Sequence, residues 1–293
     1  MNNNVMTANH RIAIYVIESG EIKNMKKNVK YKEKKKIGIV WTLLTLVALC
    51  VFCYAGSQLL FIYLEYKKGA DEYIALEKHV DPGVEAHEAK EEMNEDSDDQ
   101  METIKNPIDF TSLTEINHEV IAWLRVKAID VNYPVAQGAD NDYYLHRTFE
   151  KKPVFSGCIF MDYRNSKDFS DRNTIIYGHN MKDGSMFGKL KRFHDPEVYH
   201  AYPYFWLYTP DRAYKFKIFS CQEVGSRSES YQIEFKDDKE FEEYLAQSKK
   251  NSVVPNDVSV DGKDTIVTLS TCTGDASNRL VVQGKLMKTY LAE

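Results

Sequence analysis

The pattern of apolar and polar positions changes character several times along the 293-residue chain. Residues 1–24 (MNNNVMTANHRIAIYVIESGEIKN) show no strong periodicity. Residues 37–64 (IGIVWTLLTLVALCVFCYAGSQLLFIYL) form one uncharged run. Residues 65–80 have helical spacing, with Tyr66, Tyr73, Ile74 and Leu76 recurring among charges. Residues 85–102 are rich in Glu and Asp and poor in apolar side chains. Such a stretch cannot bury enough surface to offset its ordering entropy, so it is expected to be a solvated spacer, at most loosely helical.

From Asn106 onward the pattern is that of a folded, mainly β body. A helix is predicted over Phe110–Ile121. Short β-rich runs follow at Ala122–Val126, Ile129–Val135, Cys158–Asp162, Thr174–His179, Tyr204–Tyr208, Tyr214–Gln222, Thr265–Cys272 and Leu280–Met287, mostly separated by Gly, Asn, Asp or Pro. A clear helix is predicted over Asp237–Lys250 and a shorter one over Ser185–Phe193. Many strands with few helices predict a β-barrel or sandwich decorated by helices. No repeat of solenoid or propeller period is present.

Charge sharpens this division. The whole chain carries a net −6, but the average hides a topology. Residues 1–36 carry +6, residues 37–64 nothing, residues 65–105 −9 and residues 106–293 −3. The uncharged run exceeds the ~20 residues needed to cross a bilayer. A cleaved signal peptide would be shorter and end in small residues, and Cys53-Tyr54-Ala55 is a poor site of that kind. Seven lysines from Lys26 to Lys36 precede the run, while only Lys67 and Lys68 follow it closely, which places the N-terminus in the cytoplasm and the body outside. The expected organisation is a basic head (1–36), a transmembrane signal anchor (37–64), an acidic stalk (65–105) and an extracellular domain (106–293). Met25 opens the basic run, and translation is expected to start there rather than at residue 1. The mild acidity of the whole chain argues against a dedicated nucleic-acid binder.

Five cysteines in so long a chain are not a disulfide framework. Cys50 and Cys53 fall in the anchor. Cys158 and Cys221 lie in apolar strand runs and read as buried small side chains. Cys272 differs: it ends the apolar strand Thr265–Cys272, and the polar loop TGDASN follows at once, where a nucleophile is both accessible and rigidly placed. If the next strand pairs back across that loop, Cys272 faces Arg279, with Cβ atoms roughly 5 Å apart. A guanidinium there stays charged and offers several N–H donors to a thiolate or an oxyanion. Against this stands an ordinary surface arginine at a strand start. Among eight histidines, His179 ends the apolar run 175–178 and, like Cys272, sits at a strand terminus. A thiol nucleophile needs such a proton partner, although a lone histidine is more often structural.

These residues resemble a known family. Leu269–Cys272 (LSTC), Arg279 on the following strand and Tyr177–Asn180 (YGHN) upstream look like the sortase transpeptidases. The likeness to class B sortases extends to Val120–Leu124, Tyr133–Gly138, Asp140–Leu145, Gly157–Asn165, Asn173–Met181, Met186-Phe187 and the helix at 237–250. It covers about 106–290. The resemblance implies an eight-stranded β-barrel with N-terminal helices and a helix in the loop before the cysteine strand. It also implies a membrane-tethered enzyme of Gram-positive cell surfaces that cleaves a C-terminal sorting signal after Thr. Cys272 would form the thioacyl enzyme, His179 would act as general acid and then base, and Arg279 would hold the oxyanion or orient the peptide. An amine of the cell-wall precursor lipid II would release the product, linking a surface protein to it. Asn141, Leu145 and Ser270 align with residues that line the peptide groove, and Tyr231, in the loop before the helix, is expected to join them in binding substrate. The family often has Asp two residues after the cysteine, whereas here Gly274 stands there and Asp275 follows. Neither a metal nor a cofactor is implied. The signal would be of Asn-Pro-x-Thr or Pro-x-Thr-Gly type.

Two other readings compete with this one. Ser156–Ile159 (SGCI) resembles part of the L,D-transpeptidase signature and would make Cys158 the nucleophile, although the flanking His and Arg are missing. A non-catalytic surface module, such as a wall-binding or adhesin domain, would leave Cys272 without a role. The order His then Cys disfavours a papain-like protease.

Overall fold

A computed structural model describes residues 3–93, 102–272 and 277–293. The chain forms two compact units, Met1–Tyr63 and Leu64–Glu293. The first unit is helical, the bulk of α1 (Asn3–Leu76). Its uncharged run presents large apolar side chains without cover, Trp41 at 65% and Phe52 at 75% exposure among them. One helix in the described chain is thus long and apolar enough to cross a membrane.

The second unit is a closed barrel. Its strands are β1 (Thr103–Ile104), β2 (Val120–Val126), β3 (Val131–Ala136), β4 (Ile159–Met161), β5 (Asn173–Tyr177), β6 (Tyr204–Tyr208), β7 (Arg212–Gly225), β8 (Ile266–Cys272) and β9 (Asn278–Ala292). Eight of them run in the order β9-β7-β6-β2-β3-β4-β5-β8, and β8 pairs with β9 to close the ring. The two-residue β1 adds in parallel to the end of β9. Within the ring, β3–β4 and β5–β8 are parallel and the other pairings antiparallel. Closure leaves no open edge among the eight. Trp123, Phe205, Phe216, Leu207, Val267 and Val282, all essentially buried, belong to its core.

Element ends follow local chemistry. The helix expected over 110–121 is α3 (Phe110–Ile116), capped by Asp109, whose carboxylate accepts from Ser112 N. It stops because Asn117 turns extended and spends its amide on Tyr144 Oη and the Phe149 carbonyl. Residues 120 and 121 therefore begin β2. The helix expected over 185–193 is replaced by a short 3-10 turn (Leu190–His194), followed by α4 (Pro196–Ala201). Asp195-Pro196 is an N-cap followed by a proline at the first helical position. The helix predicted over 237–250 is α5 (Asp238–Lys250), lying in the β7–β8 crossover. It buries Phe241, Tyr244 and Leu245 against Phe219 and Ile266.

The solvated-spacer reading of residues 85–102 needs correction where the chain is described. Residues 84–93 form α2 (Val84–Met93), with Val84, Glu88 and Glu91 buried; together with Tyr73 and Leu76 of α1, Val84 joins the barrel core. The two glutamates are satisfied by partners far along the chain. Glu88 accepts from Arg125 Nε at 2.8 Å and from Tyr208 Oη at 3.1 Å, and Glu91 accepts from Tyr290 Oη at 2.5 Å. Charged composition signals solvation only when no such partners exist. Residues 94–101 lie outside the described residues.

Candidate active site

The hairpin expected from loop length is present. β8 and β9 pair antiparallel with Ser270 opposite Val281, Thr271 opposite Leu280 and Cys272 opposite Arg279. On the other side β8 runs parallel to β5, with Tyr177 opposite Ser270. Gly178 N extends that ladder, donating to the Ser270 carbonyl at 3.1 Å. Two residues beyond Tyr177 is His179, and two beyond Ser270 is Cys272. Position 272 thus faces Arg279 on β9, and His179 follows the end of β5, the other neighbour of β8. The Cys272 side chain and residues 273–276, including Gly274 and Asp275, lie outside the described set.

His179 is held from several directions. Gly178 leaves little room for a side chain, because a Cβ there would lie 2.8 Å from the Phe187 ring and 2.4 Å from Ile159 Cδ1. The His179 carbonyl accepts from Phe187 N at 3.0 Å. Its Nε2 lies 2.7 Å from the Leu145 carbonyl oxygen. A carbonyl only accepts, so Nε2 carries the proton and Nδ1 is left as the basic nitrogen. Burial, outweighing that hydrogen bond and reinforced by nearby His146, holds the imidazole below its ordinary pKa. Phe155 stacks on the ring at 5.8 Å. Arg279 is half-buried, and its Nη1 donates to the Asn278 carbonyl at 2.9 Å.

The four groove residues suggested by resemblance join this centre in different ways. Ser270 Oγ is 2.9 Å from Tyr231 Oη. Tyr231 stacks on Tyr177, whose hydroxyl donates to Asp162 at 3.0 Å. Asn141 Nδ2 donates to the same Asp162 carboxylate at 3.0 Å, and its Oδ1 accepts from Tyr163 N. Leu145 contributes its main-chain carbonyl to His179. Gly157 (φ +61°) helps make this possible, since a Cβ there would lie 2.7 Å from that same carbonyl oxygen.

Asp162, Arg164 and Tyr177 stand inside the segments 157–165 and 177–180, but no sequence pattern marks them individually as site residues. Asp162 is fully buried. Burial works to raise its pKa, but Arg164, through side chain and backbone N–H, and Asn141 together hold it below the usual carboxylate range. A depressed carboxyl contributes stability that is present above its unfolded pKa, about 3.9, and is lost as pH falls through the lower folded value. Asp162→Ala should cost about 1–3 kcal/mol at neutral pH, because Tyr177 Oη and Asn141 lose their acceptor. Chemical denaturation at about pH 7 and about pH 2.5 checks this, with the difference between variant and native chain expected to shrink at the lower pH.

Cys158 is placed unlike a nucleophile. It is fully buried, and burial pushes its thiol up to about 12. The loop over it is closed by Tyr73, whose hydroxyl donates to the Gly157 carbonyl at 2.9 Å. Cys221 is likewise buried, with its thiol pushed up to about 12. The L,D-transpeptidase reading through Cys158 is therefore set aside.

Comparison with known proteins identifies the family. The Sortase domain family matches residues 124–287. Sortase B of Listeria monocytogenes is 40% identical over 182 residues, covering 61% of this chain and 74% of that protein. Sortase B of Staphylococcus aureus is 33% identical over 182 residues, covering 61% and 75%. Among solved structures, sortase B from B. anthracis in complex with AAEK1 aligns with a TM-score of 0.65 at 33% identity, covering 78% of this chain and 100% of that one. A Staphylococcus aureus sortase B–substrate complex aligns at 0.64 and 30% identity, covering 77% and 99%. The chain belongs to the sortase family of cysteine transpeptidases. Within that family it is a class B sortase, with the closed eight-stranded barrel and N-terminal helices of that class.

Proposed function

We propose that the protein is a membrane-anchored transpeptidase that cleaves a C-terminal sorting signal after Thr and joins the surface protein to an amine of a cell-wall precursor. The observation that supports this reading is Cys272 opposite Arg279 across the β8–β9 pair, with His179 two residues past the end of β5 on the other side of β8. In the proposed cycle, His179 Nδ1 takes the Cys272 thiol proton as sulfur attacks the Thr carbonyl. Arg279 stabilises the oxyanion. The proton passes to the leaving amine, the C–N bond breaks and a thioacyl enzyme remains. His179 then takes a proton from the incoming amine, the tetrahedral adduct collapses, and the proton returns to the departing thiolate. The Ser270–Tyr231 pair and Asn141, held on Asp162, would line the signal peptide.

The acceptor is proposed to be the lipid II amine. A sortase B neighbour solved in complex with triglycine supports an amine-bearing acceptor. Residues 37–64 are proposed as the single membrane span, with the lysine-rich 26–36 segment in the cytoplasm and the barrel outside.

The test is a transfer assay. The full chain in detergent micelles is given peptides carrying Asn-Pro-x-Thr or Pro-x-Thr-Gly signals, with and without triglycine. Mass spectrometry should find cleavage after Thr and the triglycine adduct. Cleavage elsewhere, or hydrolysis unaffected by triglycine, would contradict the reading. In the same assay Arg279→Ala should lower kcat by roughly 10²–10³-fold, the typical cost of an oxyanion donor. Near-native turnover would remove Arg279 from the mechanism.

A further inference from the structure

Phe155 is a large apolar side chain left 62% exposed, yet it is not idle. One stacking partner is His179, at 5.8 Å and 30°. Another is Tyr66 of α1, at 6.5 Å and 25°. The short loop carrying Phe155 is gripped by α1 at further points. Gly69 lets Ser156 approach so closely that a Cβ would lie 2.7 Å from Ser156 Oγ. Tyr73 Oη donates to the Gly157 carbonyl at 2.9 Å. Positions 66, 69 and 73 are spaced i, i+3 and i+7, so a single helix face makes all three contacts.

We infer that Phe155 is a positioning residue for His179 and that the Tyr66 face of α1 holds Phe155 in place. The inference rests on the proposed role of His179 in proton transfer. The Leu145 carbonyl fixes one edge of the imidazole at 2.7 Å. Phe155 stacks against the ring and keeps water from it. Together the two contacts set the direction of Nδ1, the nitrogen left for chemistry. The helix that continues out of the apolar run, with Tyr66 only two residues past its end at Leu64, thereby becomes part of the active-site wall.

The electrostatic setting is defined. His146 lies 6.4 Å from His179, ring to ring, with Asp142 3.9 Å from His146; Arg279 stands on β9, and the Tyr66 ring stacks on Phe155. Burial lowers the His179 pKa. Removing Phe155 rehydrates the ring, lightens the penalty on its charged form and moves the pKa upward.

The experiment uses the full chain in detergent micelles with ¹³C-labelled histidine. His179 is titrated by NMR in the native chain, F155A, F155W and Y66A, and the pH dependence of kcat and KM is recorded for each with a sorting-signal peptide. In F155A the His179 midpoint should rise, the matching limb of the rate profile should move with it, and kcat should fall about tenfold with less change in KM. F155W should restore the native midpoint and rate, and Y66A should fall between. An unchanged His179 midpoint in folded F155A overturns the inference. A shifted midpoint in F155A, alongside a His179→Ala chain that turns over normally, upholds the stack and overturns the role of His179 instead.

Discussion

Replacing Cys272 with Ala lowers turnover of a sorting-signal peptide by about 10⁴-fold or more, while Cys158→Ala leaves it within a few-fold. The first value follows from removing the atom on which a covalent mechanism is built, which leaves only binding and oxyanion stabilisation. The second follows from burial. Cys158 is fully enclosed, its thiol is pushed up to about 12, and Tyr73 closes the adjacent turn. Shortening it to Ala removes one buried sulfur and costs some stability without touching the reacting groups. Parallel kinetics of both variants, with circular dichroism to confirm folding, decide the matter. Loss of activity with Cys158→Ala alone would move the nucleophile to Cys158 and revive the L,D-transpeptidase reading.

Glu88→Ala destabilises the barrel unit by about 3–5 kcal/mol, the usual cost of breaking a buried ion pair from one side. Glu88 is fully buried and engages both Arg125 Nε (2.8 Å) and Nη2 (3.4 Å). Its removal strands a buried guanidinium and also deprives Tyr208 Oη of its acceptor. Arg125 keeps Asn132 Oδ1 at 3.1 Å, which does not neutralise it, and the Glu85 carboxylate at 4.0 Å, which is solvent-exposed and too distant to replace Glu88. Replacing both partners with leucine should recover most of the loss, since no unpaired charge remains. Urea unfolding monitored by tryptophan fluorescence measures both, and a loss below about 1 kcal/mol for Glu88→Ala would show the pair to be solvated. For the same reason a fragment beginning at residue 106 should be less stable than one beginning at residue 64.

The parts of the molecule legible in the sequence are those set by local pattern. The β-rich run 265–272 and the strand opening at Arg279, joined by the six-residue polar loop 273–278, were enough to place Cys272 opposite Arg279. Asp237 before α5 announced its own helix, with the carboxylate accepting from Glu240 N. His179 was visible as a polar ending to an apolar strand. That β5 runs parallel beside β8 was not, because that pairing is fixed by the closed ring rather than by either strand.

What escaped was set by distant partners. Glu88 and Glu91 look like solvated acids until Arg125, Tyr208 and Tyr290 arrive from positions 37, 120 and 199 residues away. Asp162 sat in plain view within Gly157–Asn165, but its work is to orient Asn141 and Tyr177, which sequence order does not reveal. Phe155 carries no motif at all. Its role emerges only when the face of α1 and the His179 ring meet on either side of it.

The central claim is that chemistry passes through a thioester on Cys272. Intact-mass analysis of the full chain, quenched in acid during turnover of a sorting-signal peptide, tests it most directly. The account predicts a mass gain equal to the peptide's N-terminal fragment through Thr, mapped by proteolysis to Cys272 and discharged on adding triglycine. A chain that turns over with no adduct, or with the adduct on Cys158 or Cys221, would contradict it.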